Sequence, residues 1–267
     1  MSIVNSRKSE ITIQETMKIL EKYPSDIEPD SDRNFIYPRK AINYFEFDFE
    51  PIHLATLGAM CYYSSYLHEK KYLRSPIILI DSLNYILNGA SARKREYYKI
   101  KDSINFLSKS PFINIEWIDN ESFKFEIELQ HGYMRISESE FEKIAMGVSE
   151  NGIANTHKFI AIYLAINESM FKNSGDISYV CFWKADVLSE KTGVSTRTIY
   201  RRLKTMGELE YIARYNYLVN SYNLRTKIAI SNFHERSVLR RAMQREFEKK
   251  DGRVFKLLDT DTEEETI

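Results

Sequence analysis

Cysteine is nearly absent from this chain: Cys61 and Cys181 are the only two in 267 residues, and no CxxC pair occurs. Each sits in an apolar stretch, GAMCYY and YVCFW, so both are expected to be buried, reduced thiols rather than half of a disulfide or a metal site. Histidine is as sparse. His53, His68, His131, His157 and His234 are scattered with no HxH or HxxxH pair, which excludes the common zinc motifs. Nine glycines and six prolines are too few for a collagenous or loop-dominated chain. GVSENG at 147–152 has the glycines of a phosphate loop but lacks the Lys-Ser/Thr that should follow, and neither GxSxG nor GxGxxG is present. No apolar run approaches the roughly 18 residues of a membrane span, and MSIVNSRKSE lacks the apolar segment of a signal peptide. The expectation is a non-enzymatic protein of the cytoplasm, with no metal, no cofactor and no membrane partner.

Net charge is missing too, since 38 Lys and Arg balance 38 Asp and Glu. The average hides segregation. Lys191 to Lys256 holds sixteen basic and six acidic residues, and Lys70 to Ser110 holds nine and three. Pro111 to Glu150 reverses this with nine acidic and three basic, and DTDTEEETI at 259–267 is acidic without a single cation. Such segregation suits a protein that turns particular faces toward a polyanion. The 18 tyrosines and 15 phenylalanines are expected to fill much of the core.

Periodicity gives the organisation. Residues 1–40 read as an arm, with Thr12 and Glu15 as a capping box before a short helix and then an acidic, proline-containing linker. A first domain is expected over 41–132. It contains a helix from Pro51 to Glu69, a short strand PIILI, and a helix capped by Asp81 and Ser82 that stops at Gly89. A basic helix, ARKREYYKIKDSINFLSKS, and a hairpin, FINIEWI to FKFEIEL, complete it. A second domain over 133–232 repeats the order. It begins with a short amphipathic helix after Ser137, either a connector or the domain's first helix, followed by a helix over 157–172 and a strand ISYVCF. Helices then flank Gly193, and a hairpin runs from LEYIARYNYLV to LRTKIAI. Residues 233–267 read as a C-terminal helix bearing Leu239, Met243 and Phe247 on one face, with the acidic tail after it. That helix either packs back on the second domain or serves a partner or dimer, with the acidic tail as a recruiting or autoinhibitory strand that could compete with DNA for a basic stripe. The fold class is therefore mainly α with small antiparallel β-hairpins (α+β).

The segment 185–206 carries the chemistry. Gly193 suits the positive-φ turn of a helix-turn-helix, with Leu188 and Val194 buried between the helices. Ser195 can accept a hydrogen bond from the exposed amides of the helix that follows. Ile199, Leu203 and Met206 lie at i, i+4 and i+7, so they face inward, and Thr196, Arg197, Tyr200, Arg201 and Lys204 face outward. Cations and hydroxyls on one free stripe suit a major groove, where arginine pairs bidentately with guanine. Arg214, Arg225 and Lys227 flank the tip of the next hairpin beside Tyr215, Tyr217 and Tyr222, suited to phosphates or a minor groove. In the first domain Arg93, Lys94, Arg95 and Lys99 are outward cations on the basic helix, with Lys101 close by. Its hairpin is acidic at Glu116, Asp119, Glu121, Glu126 and Glu128, so this domain either touches DNA through that helix alone or serves dimerisation.

VLSEKTGVSTRTIYRRLKTM resembles the helix-turn-helix of bacterial winged-helix proteins, in which a Leu-Ala pair precedes Gly-Val-Ser, then Arg-Thr-Val or Arg-Thr-Ile and a later Leu. The match lies at Leu188, Gly193, Val194, Ser195, Arg197, Thr198, Ile199 and Leu203, with Ser189 where alanine is usual and Met206 where leucine is common. Two winged-helix domains in tandem, with an arm and a C-terminal helix, resemble the replication initiators of plasmids and related mobile elements. The resemblance implies a sequence-specific binder of double-stranded DNA at origin repeats that recruits a host helicase or helicase loader, with Thr198 and Ser195 at the protein–DNA face. A transcriptional regulator of a mobile element shares the same binding chemistry. A winged-helix protein-interaction scaffold without DNA binding is the reading from a different class.

Overall fold

The computed structural model describes residues 34–43, 48–69, 77–89, 94–111, 113–127, 132–150, 156–170, 180–181, 183–219, 223–230 and 256–258, the last stretches from 213 onward as backbone only. Over these residues the chain is mainly helical with small antiparallel sheets, and it divides into two compact units, Met1–Ile160 and Ala161–Ile267.

Among the described residues the first unit opens with β1 (Asn34–Pro38) and a short α1 (Lys40–Asn43), followed by α2 (Pro51–Glu69). In α2 every residue from Leu54 to Tyr63 is buried, polar Thr56 included, so this helix forms the centre of its unit instead of an amphipathic cover. The tyrosines meet that burial by donating their hydroxyls: Tyr37 Oη to Leu54 O (3.4 Å) and Tyr63 Oη to Ser82 O (3.0 Å). After β2 (Ile78–Leu79) come α3 (Ile80–Asn88) and α4 (Lys94–Leu107), both packed on α2. α3 starts at Ile80 with Leu79 as its cap and no side-chain capping bond, contrary to the expected caps. Ser82 is buried inside the helix, and the Ile80 amide is satisfied by Glu121 O at 2.9 Å. Gly89, at φ 74°, ends the helix as expected.

The hairpin β3 (Ile113–Trp117) and β4 (Ser122–Ile127) turns on Asp119, whose Oδ1 accepts the amides of Glu121 (2.7 Å) and Ser122 (2.8 Å). β4 takes β2 on its other edge, giving the order β2-β4-β3. The unit then continues where a second domain was expected to begin. β5 (Tyr133–Ser137) pairs antiparallel with β1, Asn34 opposite Ser137 and Pro38 opposite Tyr133, and α5 (Glu138–Glu150) packs on α3. The reason is aromatic: Phe35 of β1 meets Phe141 of α5 edge-on at 5.2 Å, and Tyr62 of α2 contacts both. The division thus falls after Ile160 instead of at 132, and the last residues of the expected arm are a strand. The expected helix near Thr12–Leu20 and the C-terminal helix over 233–250 lie outside the described residues.

α6 (Thr156–Met170) is buried at every position from Phe159 to Ser169. In the second unit β6 (Val180–Cys181), α7 (Ala185–Thr192), α8 (Thr196–Glu208), β7 (Ile212–Val219) and β8 (Asn223–Ile230) follow in the expected order, and β9 (Lys256–Leu258) is added. The sheet order is β6-β8-β7-β9. Both cysteines are buried and neither is in a disulfide, and burial pushes the Cys61 thiol well above its usual range.

Candidate nucleic-acid interface

α7 and α8 are joined by a turn of three residues whose geometry comes from Thr192 and Gly193. Gly193 adopts the left-handed conformation (φ 66°, ψ 9°), and its amide donates to Ser189 O at 3.0 Å. Thr192 is fully buried: its hydroxyl donates to Leu188 O (2.6 Å) and accepts from the Val194 amide (3.3 Å). One side chain thus ties the last turn of α7 to the segment leading into α8. Thr192 escaped notice in the sequence because a threonine before a glycine looks like any helix end; its only signal is that it directly precedes the turn.

α8 divides cleanly into two faces. Ile199, Leu203 and Met206 are buried, as are Leu188 and Val194 across the turn. Ser195, Thr196, Arg197, Tyr200, Arg201 and Lys204 are exposed, and Thr198 is half-buried. Tyr200 stands 62% exposed, so its ring stays available to a partner surface instead of filling the core. Positions 197, 200, 201 and 204 follow the three- and four-residue spacing of one helical stripe. The only acid on α8 is Glu208, which meets Lys204 at 3.8 Å with both side chains largely solvated, a pair too exposed to hold the lysine. Arg202, off the stripe, is half-buried; desolvation, with Arg201 beside it, pulls its pKa below the ordinary value.

Ser195 caps α8 by backbone geometry (φ −55°, ψ 143°) but its hydroxyl does not accept an amide of the helix, contrary to expectation. It donates instead to Thr198 Oγ1 at 2.9 Å, because a hydroxyl acceptor sits at the third helical position where a capping amide would be. The first amides of α8 therefore face outward without that side chain over them.

The hairpin after α8 places its three expected cations less compactly than the sequence suggested. Tyr215 is paired with Lys227 and Tyr217 with Arg225, whereas Arg214 is opposite Ile228. Strand residues alternate faces, so positions 225 and 227 share a face with two tyrosine positions and 214 belongs to the other. Arg214 also lies near the base of β7, not at the tip.

In the first unit Lys94, Arg95 and Lys99 of α4 are exposed, over the buried Ile100, Ile104 and Leu107; Arg93 lies outside the described residues. Lys94 Nζ stands 5.9 Å over the ring of Tyr98, itself 51% exposed. Lys101 is committed to the hairpin, donating to Asn120 O at 2.6 Å with Trp117 alongside. Exposed Glu116, Asp119, Glu121 and Glu126 stand on that hairpin; Glu128 lies outside the described residues. The backbone amides of Glu121 and Ser122 hold Asp119 below the usual carboxylate range. Tyr97 lines an open cleft of about 430 Å³ with Asp81 and Glu121. Burial first, then these carboxylates, raise the pKa of its phenol. Lys94 and Lys101 of α4 thus line a cleft with Asp81 and Glu121, whereas on α8 the one acid is Glu208, beside Lys204.

Among the described residues no cluster of His, Cys, Asp and Glu has metal-binding geometry, and no helix is long and apolar enough to cross a membrane. The chain matches no protein-family model, no curated protein and no solved structure.

Proposed function

We propose that the chain is a sequence-specific binder of double-stranded DNA that acts through α8, built from two tandem winged-helix domains, and that it initiates replication of a plasmid or mobile element. One observation carries the reading: the apolar edge of α8 is sunk while Arg197, Tyr200, Arg201 and Lys204 are exposed on a single stripe. A helix about 10–12 Å wide fits the major groove, where such a stripe meets base edges and phosphates together. The winged-helix assignment is supported by element order. Each unit runs helix, short strand, helix, helix, hairpin, and each short strand joins the second hairpin strand, β2 to β4 and β6 to β8.

Initiation, with recruitment of a host helicase or helicase loader, rests on the tandem layout and its resemblance to plasmid initiators. A transcriptional regulator would use the same stripe, and a homodimer is compatible with either. The acids beside α4 favour protein contacts by the first unit over phosphate contacts. Capture of genomic fragments on the full chain tests the reading. Bound sites clustered as direct repeats support initiation, sites over promoters favour regulation, and no enrichment rejects sequence-specific binding. With several phosphates neutralised, log K must also fall steeply with log salt; a flat dependence leaves the protein-interaction scaffold as the reading.

A further inference from the structure

We propose that Tyr200 reads thymine: its ring covers the C5-methyl group of a thymine in the major groove, one or two base pairs from the base that Arg197 contacts. The proposal deepens the DNA-binding reading and rests on it. Exposure is the starting point. Tyr200, at 62%, is the most exposed large hydrophobic side chain among the described residues. Tyr98 of α4, the next at 51%, has Lys94 Nζ 5.9 Å over its ring and Tyr97 edge-on at 5.6 Å. The buried face of α8 is formed by Ile199, Leu203 and Met206, and the ring of Tyr200 stands outside it.

Placement and chemistry narrow what that ring can meet. Arg197, Tyr200, Arg201 and Lys204 occupy positions i, i+3, i+4 and i+7, which span about 100° of the helix circumference. Side chains spread over such an arc enter one groove together when the helix lies in it. The three cations serve phosphates and the acceptor atoms of guanine. Tyr200 is the uncharged member of the four, and most of its side chain is ring. The one apolar group that base pairs present in the major groove is the thymine methyl. Ring against methyl takes apolar surface of both out of water, a gain that no other base edge offers. The location follows from helical rise. Three residues separate Tyr200 from Arg197, or about 4.5 Å along the axis, against about 3.4 Å per base pair. The thymine therefore lies one or two base pairs from the Arg197 contact.

The test uses the full chain, unchanged and as Arg197→Ala, Tyr200→Phe and Tyr200→Ala. A random 20-base-pair pool is enriched on each. The duplex enriched on the unchanged chain is then remade with deoxyuridine in place of each thymine in turn, which deletes only the methyl, and is titrated at one fixed salt concentration. Enrichment should show a thymine one or two base pairs from the position whose preference Arg197→Ala relaxes. Deoxyuridine there should weaken binding by the unchanged chain about three- to fivefold, the size of one buried methyl. Tyr200→Phe should keep that sensitivity, and Tyr200→Ala should bind both duplexes equally and accept any base at that position. Deoxyuridine without effect at every thymine overturns the proposal. So does methyl sensitivity that survives Tyr200→Ala, which would belong to another exposed side chain such as Thr196. A loss in Tyr200→Phe as large as in Tyr200→Ala, on both duplexes alike, overturns it too and makes the hydroxyl a phosphate contact. Failure of the unchanged chain to enrich any sequence rejects the DNA-binding reading and the proposal with it, whereas an enriched sequence blind to the methyl rejects the proposal alone.

Discussion

Arg197 sits exposed in the first turn of α8, four residues before Arg201, and nothing in the core depends on it. Arg197→Ala should leave thermal stability within about 0.5 kcal/mol of the parent chain. It should cost roughly 1–3 kcal/mol of binding to the selected site and relax preference at one base pair. An equal loss on random duplex would assign Arg197 to phosphate. Glu140 is the opposite kind of residue, fully buried at the start of α5. Ser137 Oγ accepts its amide at 3.3 Å, half of a capping box, but neither carboxyl oxygen has a hydrogen-bond partner among the described residues. Desolvation, only partly opposed by Lys143, pushes its pKa up to about 8. The folded state therefore holds a proton that the unfolded chain releases near its ordinary value of 4.5. Between that value and pH 8 the unfolded state binds fewer protons, so this residue makes stability fall as pH rises. Glu140→Gln should remove on the order of 2–3 kcal/mol of that decline between pH 5 and 8, read from urea midpoints at both pH values. A variant with an unchanged pH slope would show that Glu140 is ionised and partnered in the folded protein.

At the scale of elements, local pattern and long-range pairing separate. α8 could be read from its sequence because Ile199, Leu203 and Met206 fix the buried face, and the exposed face follows by geometry. Gly193 was readable for the same local reason. Gly193→Ala should destabilise by about 1 kcal/mol through its positive φ, measurable by denaturant unfolding, and should weaken DNA binding by tilting α8. A neutral outcome would mean that the turn relaxes to another conformation. The pairing of β1 with β5 was not readable. Five residues beside Pro38 look like linker, and their partner is about a hundred positions away, where Tyr133–Ser137 looks like the entrance to a helix. β9 was hidden likewise, since three residues among charges carry no strand signal of their own. The cations of the last hairpin were legible as composition, but their faces depend on register: one residue's shift exchanges 214 with 225 and 227.

For the whole molecule, the same long-range pairing decides where the chain can be divided. Repetition of element order suggested a cut at 132, yet Met134, Ile136, Phe141 and Ile144 beyond that point are all buried and belong to the first unit. Each such side chain contributes roughly 1.5–3 kcal/mol when fully buried, and a domain of this size has only about 5–15 kcal/mol in total. A fragment of residues 1–132 loses all four, strips β5 from β1 and leaves Phe35 and Tyr37 without their cover. It should show no cooperative urea transition by circular dichroism. A fragment of residues 1–155, which keeps β5 and α5, should unfold in one step with a larger dependence on urea, because it exposes more surface when it does. Equal transitions in the two fragments would mean that β5 and α5 are an accessory to the first unit. In that case the packing of Phe35 against Phe141 would add little to it, and the sequence-based boundary at 132 would be the physical one.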